Sequence, residues 1–318
     1  MLSAIKILLV RSLGACVVLL IVAVLVFLLV HMASGDPIAV LLGDQATAAD
    51  IAQVRAQYGL DRPLPTQFLL WLGQVLTGNL GTSIFLQQPV TQVLLERAEP
   101  TVLLALFSVA IASCIGVPCG ALAAVWRGSR TDQVVSAVAM LAASVPSFWM
   151  GLILIRIFAV QLGWFPASGY GPPEADLAQR MMHLALPSVV LGVLNSALII
   201  RFTRASMLDT LGEDYVRTAR AKGLSETVIM VKHVMKNALI PIVTVIGLTM
   251  ALMIGGTVVT ETVFNLPGVG GLVVRAVLRR DYPVIQGTLL VVAFIYVLIN
   301  FFIDFLYTVI DPRIRLRK

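Results

Sequence analysis

The chain has 318 residues, of which 58% are hydrophobic and 13% charged. Soluble domains carry about 25% charged residues, so this composition excludes an ordinary soluble domain and points to an integral membrane protein. The net charge of +6 does not indicate nucleic acid, because the positive residues lie in loops between apolar spans and are not gathered with aromatics on one patch.

Residues 13–30 form an uninterrupted apolar run after Lys6 and Arg11. A cleaved secretory signal has an apolar region of about 7–15 residues. With more hydrophobic spans downstream, the run reads as an uncleaved first membrane helix, with the stretch 1–30 beginning in the cytoplasm. Residues 31–99 change character. Gly35-Asp36-Pro37, Gly59-Leu60-Asp61-Arg62-Pro63, Gly78-Asn79-Leu80-Gly81 and Pro89 punctuate short helical patterns at 48–58 and 67–76. A small helical extracytoplasmic domain is expected here, too short to be a separate enzyme.

Apolar segments at 101–125, 134–160, 184–200 (extending through Phe202), 238–260 and 284–310 follow. A helix needs about 20 apolar residues to cross a hydrocarbon core of about 30 Å. The predicted fold is therefore an all-α integral membrane protein with six transmembrane helices and both termini cytoplasmic. Residues 100–310 form its five-helix core, with a cytoplasmic loop at 205–237 and a basic tail at 311–318.

Charge tests that orientation, since cytoplasmic loops of membrane proteins carry an excess of Lys and Arg. The inside segments hold Lys6, Arg11, Arg127, Arg130, Arg201, Arg204, Arg217, Arg220, Lys222, Lys232, Lys236, Arg313, Arg315, Arg317 and Lys318, which includes every lysine. The outside segments hold Arg55, Arg62, Arg97, Arg180, Arg275, Arg279 and Arg280, spread over more residues and outnumbered by acids. The cluster at 275–280 is the exception, and it lies beside Glu261 and Asp281.

Few residues invite chemistry. No Gly-x-x-x-x-Gly-Lys-Ser/Thr loop exists to cradle nucleotide phosphates, so an energy source must be external. Cys16, Cys114 and Cys119 lie within apolar segments and are odd in number, which fits packing residues better than a disulfide framework. Gly116-Val-Pro-Cys-Gly120 has the spacing of a small-residue helix contact. Arg156 and Asp304 are the ionisable residues within spans; both lie near predicted helix ends, where snorkelling or interfacial pairing competes with a relay. Asn195, Glu261, Asn300 and Asp304 are the candidates for a translocation path, with an interhelical hydrogen bond the simpler reading for the two asparagines. His31, His183 and His233 show no metal-ligand spacing, and no metal site is expected.

The stretch 214–241, DYVRTARAKGLSETVIMVKHVMKNALIP, is a basic, water-compatible insert. Tyr215, Val216, Ala219, Leu224 and Val228 recur at helical spacing while Arg217, Arg220 and Lys222 face elsewhere, as in a short amphipathic helix interrupted at Gly223. Glycine there lets the backbone turn where a side chain would clash. An ordinary basic linker has the same charge.

This loop resembles the cytoplasmic loop of permease subunits of binding-protein-dependent ABC importers, especially the dipeptide, oligopeptide and nickel branch. Ala219 and Gly223 fall on the second alanine and the glycine of that family's glutamate-alanine-alanine-gap-glycine pattern. Arg217 and Thr218 replace its glutamate and first alanine, and Met235-Lys236 replaces a later leucine-proline. The peptide branch is similar in these departures, through Glu213-Asp214-Tyr215 and the run from Thr218 to Leu224. Gly78-Asn79-Leu80-Gly81-Thr82-Ser83 and the 260–287 loop resemble it too.

The resemblance implies that Asp214, Tyr215, Arg217, Ala219, Arg220, Lys222, Gly223 and Leu224 dock on a cytoplasmic ATPase. It further implies two ATPase subunits that hold ATP and Mg, a second homologous permease subunit, an extracytoplasmic substrate-binding protein and surrounding lipid. This chain would itself bind no cofactor and form a path for di- or oligopeptides by alternating access. Nickel chelates or glutathione are the alternative cargo. An ion-coupled secondary transporter would need midplane ionisable residues, which the spans barely offer. An intramembrane hydrolase would need a nucleophile and base in reach, and ranks last.

Overall fold

The structure is a computed structural model. It describes residues 2–32, 47 and 61–310, with side chains placed for 12–29, 32, 47 and 61–303. The helical pattern at 48–58, Gly35-Asp36-Pro37, Gly59-Leu60, the tail at 311–318 and the side chains of His31 and Asp304 lie outside the described residues.

Among these residues, every regular element is a helix: α1 Leu2–Met32, α2 Leu64–Leu76, α3 Val90–Val125, α4 Arg130–Ser144, α5 Ser147–Gln161, α6 Leu177–Leu211, α7 Asp214–Ala221, α8 Glu226–Gly256, α9 Val258–Val263, α10 Val269–Arg279 and α11 Tyr282–Ile310. The helices α1, α3, α6, α8 and α11 are each long and apolar enough to cross a membrane. All five start earlier than the apolar runs indicate, by about ten residues in α1 at Leu2, α3 at Val90 and α8 at Glu226. A helix of 36 residues is about 54 Å long, so its polar turns at Glu96, Arg97 and Glu99 extend beyond the hydrocarbon and escape a reading based on apolarity.

The third hydrophobic segment, expected as one helix over 134–160, is instead the pair α4–α5, bent by 95°. The break falls at Val145-Pro146. Proline lacks an N–H and disfavours helical backbone in the residue before it, and Val145 is extended with ψ 127°.

The chain divides into two compact units, Met1–Glu99 with Pro267–Val297, and Pro100–Leu266 with Leu298–Lys318. In the first, Val90, Val93 and Leu94 pack with Leu272, Ala276, Val284 and Ile285. Beside them the loop 78–89 folds around one carboxylate. Asp281 is buried and accepts from Ser83 Oγ at 2.5 Å, from the Ile84 N–H at 3.2 Å and from the Phe85 N–H at 3.4 Å. Arg280, left-handed at φ 56°, ends α10 just before that carboxylate.

In the second unit α6 is central. Gly116 and Gly120 of α3 meet it closely: a Cβ at Gly116 would lie 2.6 Å from Ile199 Cβ, and one at Gly120 2.6 Å from the Ile200 carbonyl oxygen. Gly192 meets Ile111 of α3 in the same way. The small-residue spacing thus marks a real helix seam, and it brings backbones together without cavities. The first half of α6 (Leu184, Leu186, Val190, Leu191) packs with Leu104, Val109, Met253, Phe264 and Leu266. Its last turns contribute Met207 to a second cluster with Ala124, Val216, Ala219, Ile229, Val234, Ala238 and Ile242.

These two clusters settle how α4–α5 runs. Leu211-Gly212 at the end of α6 lies beside Trp126-Arg127, where α4 is about to begin, and α6, at 35 residues, is about 52 Å long. The α4–α5 pair must therefore carry the chain to the opposite end, where Gly151 meets Phe264. It is a broken span. Its start is fixed by Asp132, which accepts from Arg204 Nε and Nη2 at 2.7 and 2.8 Å and from the Gly128 N–H at 2.9 Å.

Candidate functional site

The site grows from α7. Asp214 in its first turn and Arg220 in its last suit the helix dipole, and Val216 and Ala219, three apart, share one buried face. That face joins Met207, Ile229 and Val234. The helix stops because Gly223 takes a left-handed conformation at φ 78°. Its N–H reaches the Arg220 carbonyl at 2.9 Å, and the Leu224 N–H reaches that of Ala219 at 3.4 Å, so the last carbonyls are satisfied by the turn itself. A Cβ at Gly223 would meet nothing within 4 Å; the backbone angle, and no neighbour, is what calls for glycine.

Two polar links tie the turn to α8. Arg220 Nε and Nη2 donate to Glu226 at 2.7 and 3.1 Å, and this bidentate bond raises the guanidinium further above its already high ordinary pKa. Asn237 Nδ2 donates to the Tyr215 hydroxyl at 2.8 Å. The backbone of α8 over Ile229–Met235 is wound in wide π turns, below the site.

The apolar face is narrower than the spacing indicates. Only Val216 and Ala219 are buried; Tyr215, Leu224 and Val228 are each 40% exposed. The reason is the turn at Gly223, which removes Leu224 and Val228 from the face of α7. Arg217 and Lys222 are exposed as well, with Arg217 Nη1 3.4 Å from Asp214. The result is a projecting loop with an apolar root and a mixed basic and apolar crest. Beside it opens a cavity of about 700 Å³ lined by Trp126, Arg127, Leu211, Arg220, Glu226 and Met230, among others.

The candidate path residues lie on α6, α9 and α11. Asn195 donates to the Leu191 carbonyl of its own helix at 2.8 Å rather than across helices. Glu261 is buried at the α9 turn and accepts from Thr101 Oγ1 at 2.6 Å and Thr257 Oγ1 at 2.9 Å. Asn300 is half-buried on α11. Of the cysteines, Cys16 and Cys114 are exposed on their helices and Cys119 is half-buried, so the first two do not pack as the apolarity of their segments indicates. Sequence reasoning missed the Asp132–Arg204 and Ser83–Asp281 pairs, whose partners are 72 and 198 residues apart.

Residues 116–316 match the family described as binding-protein-dependent transport system inner membrane component, and residues 4–105 match its N-terminal membrane component. The chain is 47% identical to a Sinorhizobium fredii protein named "Probable peptide ABC transporter permease protein y4tP", with 96% of this chain and 97% of that protein covered. It is 46% identical to the glutathione transport system permease protein GsiC of Pectobacterium atrosepticum over the same shares. Its fold is similar to that of a chain in the inward-facing MetNI methionine ABC transporter, with a TM-score of 0.57 at 20% identity, covering 69% of this chain and 97% of that one. A polytopic helical chain with these relatives belongs to the family of binding-protein-dependent inner membrane components: it is a multi-pass permease subunit of an ABC importer.

Proposed function

We propose that α7 and the turn through Gly223 and Leu224 are the surface on which a partner ATPase acts. The observation that carries this reading is the division of labour within the loop. Val216 and Ala219 root it among Ala124, Met207, Ile229 and Val234, while Tyr215, Arg217, Lys222 and Leu224 face outward. A push on the crest is thus passed to the ends of α3, α6 and α8 together, because close-packed side chains transmit displacement. The Arg220–Glu226 pair and the Asn237–Tyr215 bond oppose sliding of α7 along α8.

In this reading residues 126–130 and 212–225 face the cytoplasm, the side that the distribution of Lys and Arg assigns to them. The chain supplies the path and no ATP chemistry of its own. Two ATPase subunits carrying ATP and Mg, a second and homologous permease, and an extracytoplasmic binding protein complete the importer. The cargo is a di- or oligopeptide, a reading supported by the relatives named for peptide transport; glutathione, itself a small peptide, is the second reading, supported by the relatives named for it.

The decisive experiment is site-directed cross-linking from single cysteines at 217, 222 and 224 in the assembled importer. Capture of the ATPase, enhanced or reduced by nucleotide, is expected; capture of lipid or of nothing overturns the assignment. For cargo, the compound that raises the melting temperature of the cognate binding protein identifies it, since a ligand held only by the native state stabilises that state.

A further inference from the structure

The short helix α2 has no part in the coupling site, yet its surface is unusual. From Leu64 to Leu76 it carries no Asp, Glu, Lys or Arg. One face is packed: the Phe68 and Trp71 rings stand 5.3 and 5.6 Å from that of Phe27 on α1. The other side exposes Leu69 at 66%, Leu76 at 79% and Leu70 at 49%, with Thr66, Gly73 and Gln74, all uncharged, beside them. In water such a stripe would be an exposed hydrophobic patch without a partner.

Its position supplies the occupant. Phe27 lies at the end of the apolar window Ser12–Leu29, by which α1 qualifies as a membrane span. Its neighbours Leu25, Leu28 and Leu29 are exposed, which on a spanning helix means exposed to lipid. Packed on Phe27, α2 is held one helix diameter, about 10 Å, from that lipid-facing surface. At 13 residues it is about 20 Å long, too short to cross the membrane. Charged residues appear only at its start, Asp61 and Arg62.

We propose that α2 is an interfacial helix, with Leu69, Leu70 and Leu76 buried among acyl chains at the membrane surface reached by the Phe27 end of α1. The ligand of this face is the phospholipid bilayer itself. Trp71, an amphipathic ring suited to headgroup depth, sits between the two helices and sets the level. The apolar face of such a helix sinks about 5–10 Å below the headgroups.

The test uses the full importer in vesicles of phosphatidylcholine and phosphatidylglycerol, with Cys16, Cys114 and Cys119 replaced by alanine. Leu69→Cys, Leu76→Cys and, as a wet control, Asp61→Cys each carry an environment-sensitive fluorophore. Lipids bearing a nitroxide near the headgroup are expected to quench the two leucine positions several-fold more than aqueous iodide does, with the reverse order at Asp61. Iodide quenching at all three positions, or protection of the leucine positions from both quenchers by a covering protein, overturns the proposal. A lipid-borne diazirine applied to the unmodified chain gives a second reading, free of substitutions. Labelling of the peptide containing Leu64–Leu76 supports the assignment, and labelling of that peptide only by a water-soluble diazirine refutes it.

Discussion

Two loops, at 78–89 and at 212–225, are both punctuated by glycine, and the structure builds them in opposite ways. The first closes on a buried acceptor: Asp281 gathers Ser83 Oγ and two backbone amides, and Ser83 Oγ in turn accepts from the Leu86 N–H at 2.9 Å. The second is held by two small buried side chains and by an Arg220–Glu226 pair that stays exposed to solvent. A loop satisfied from within is a structural fixture. One that keeps apolar and basic side chains on its crest has its remaining interactions to make with something else.

That contrast can be broken by mutation, and the largest effect is expected at Asp281. Asp281→Ala leaves the Ser83 hydroxyl and two amides without their acceptor in a buried site, and should destabilise the protein by about 3 kcal/mol or more, at 1–3 kcal/mol for each buried unsatisfied group. Thermal unfolding of the purified importer should show a lowered transition, with uptake lost in proportion to the protein lost. An unchanged transition would mean that the carboxylate is not what holds the loop.

Gly223→Val should separate assembly from transport. Its side chain meets no neighbour, but a β-branched residue at φ 78° costs about 1–2 kcal/mol of local strain. The variant is expected in the membrane at normal amounts, with uptake abolished. Wild-type uptake would remove the turn from the coupling mechanism.

Leu224→Asp places a charge on the crest and is expected to reduce uptake strongly while the melting temperature stays within a degree or so of the parent, as surface substitutions generally do. The smallest effect belongs to Arg220→Ala. Because that ion pair is exposed, its loss should not move the unfolding transition measurably. ATP hydrolysis per molecule imported should rise modestly, and the difference from wild type should shrink as salt is raised.

The sequence made some of this legible and concealed the rest for identifiable reasons. The Gly116–Gly120 spacing was legible because small residues one turn apart leave a local mark on their own helix, although such spacing is common in apolar sequence; the residues they meet, Ile199, Ile200 and Thr203, leave none. The turn at Gly223 was visible because only glycine accepts its backbone angle without strain. The extent of the apolar face of α7 was misjudged, since helical spacing assumes a continuous helix and cannot tell which side of a turn Leu224 and Val228 will occupy. The unbroken apolarity of 134–160 concealed the bend, although Pro146 was its local sign. Asp132 and Asp281 gave no sign, since a buried carboxylate is recognised by partners that arrive from distant positions.

The break at Val145-Pro146 has a bearing on what holds the third span in place. Each half of the third span is short: α4 has 15 residues, about 22 Å of helix, which is less than the hydrocarbon thickness. The first half is therefore too short to cross a bilayer by itself, and its Asp132 is paired with Arg204 on α6. The Asp132–Arg204 pair, whose members are 72 residues apart, thus ties the start of the broken span to the helix that follows it.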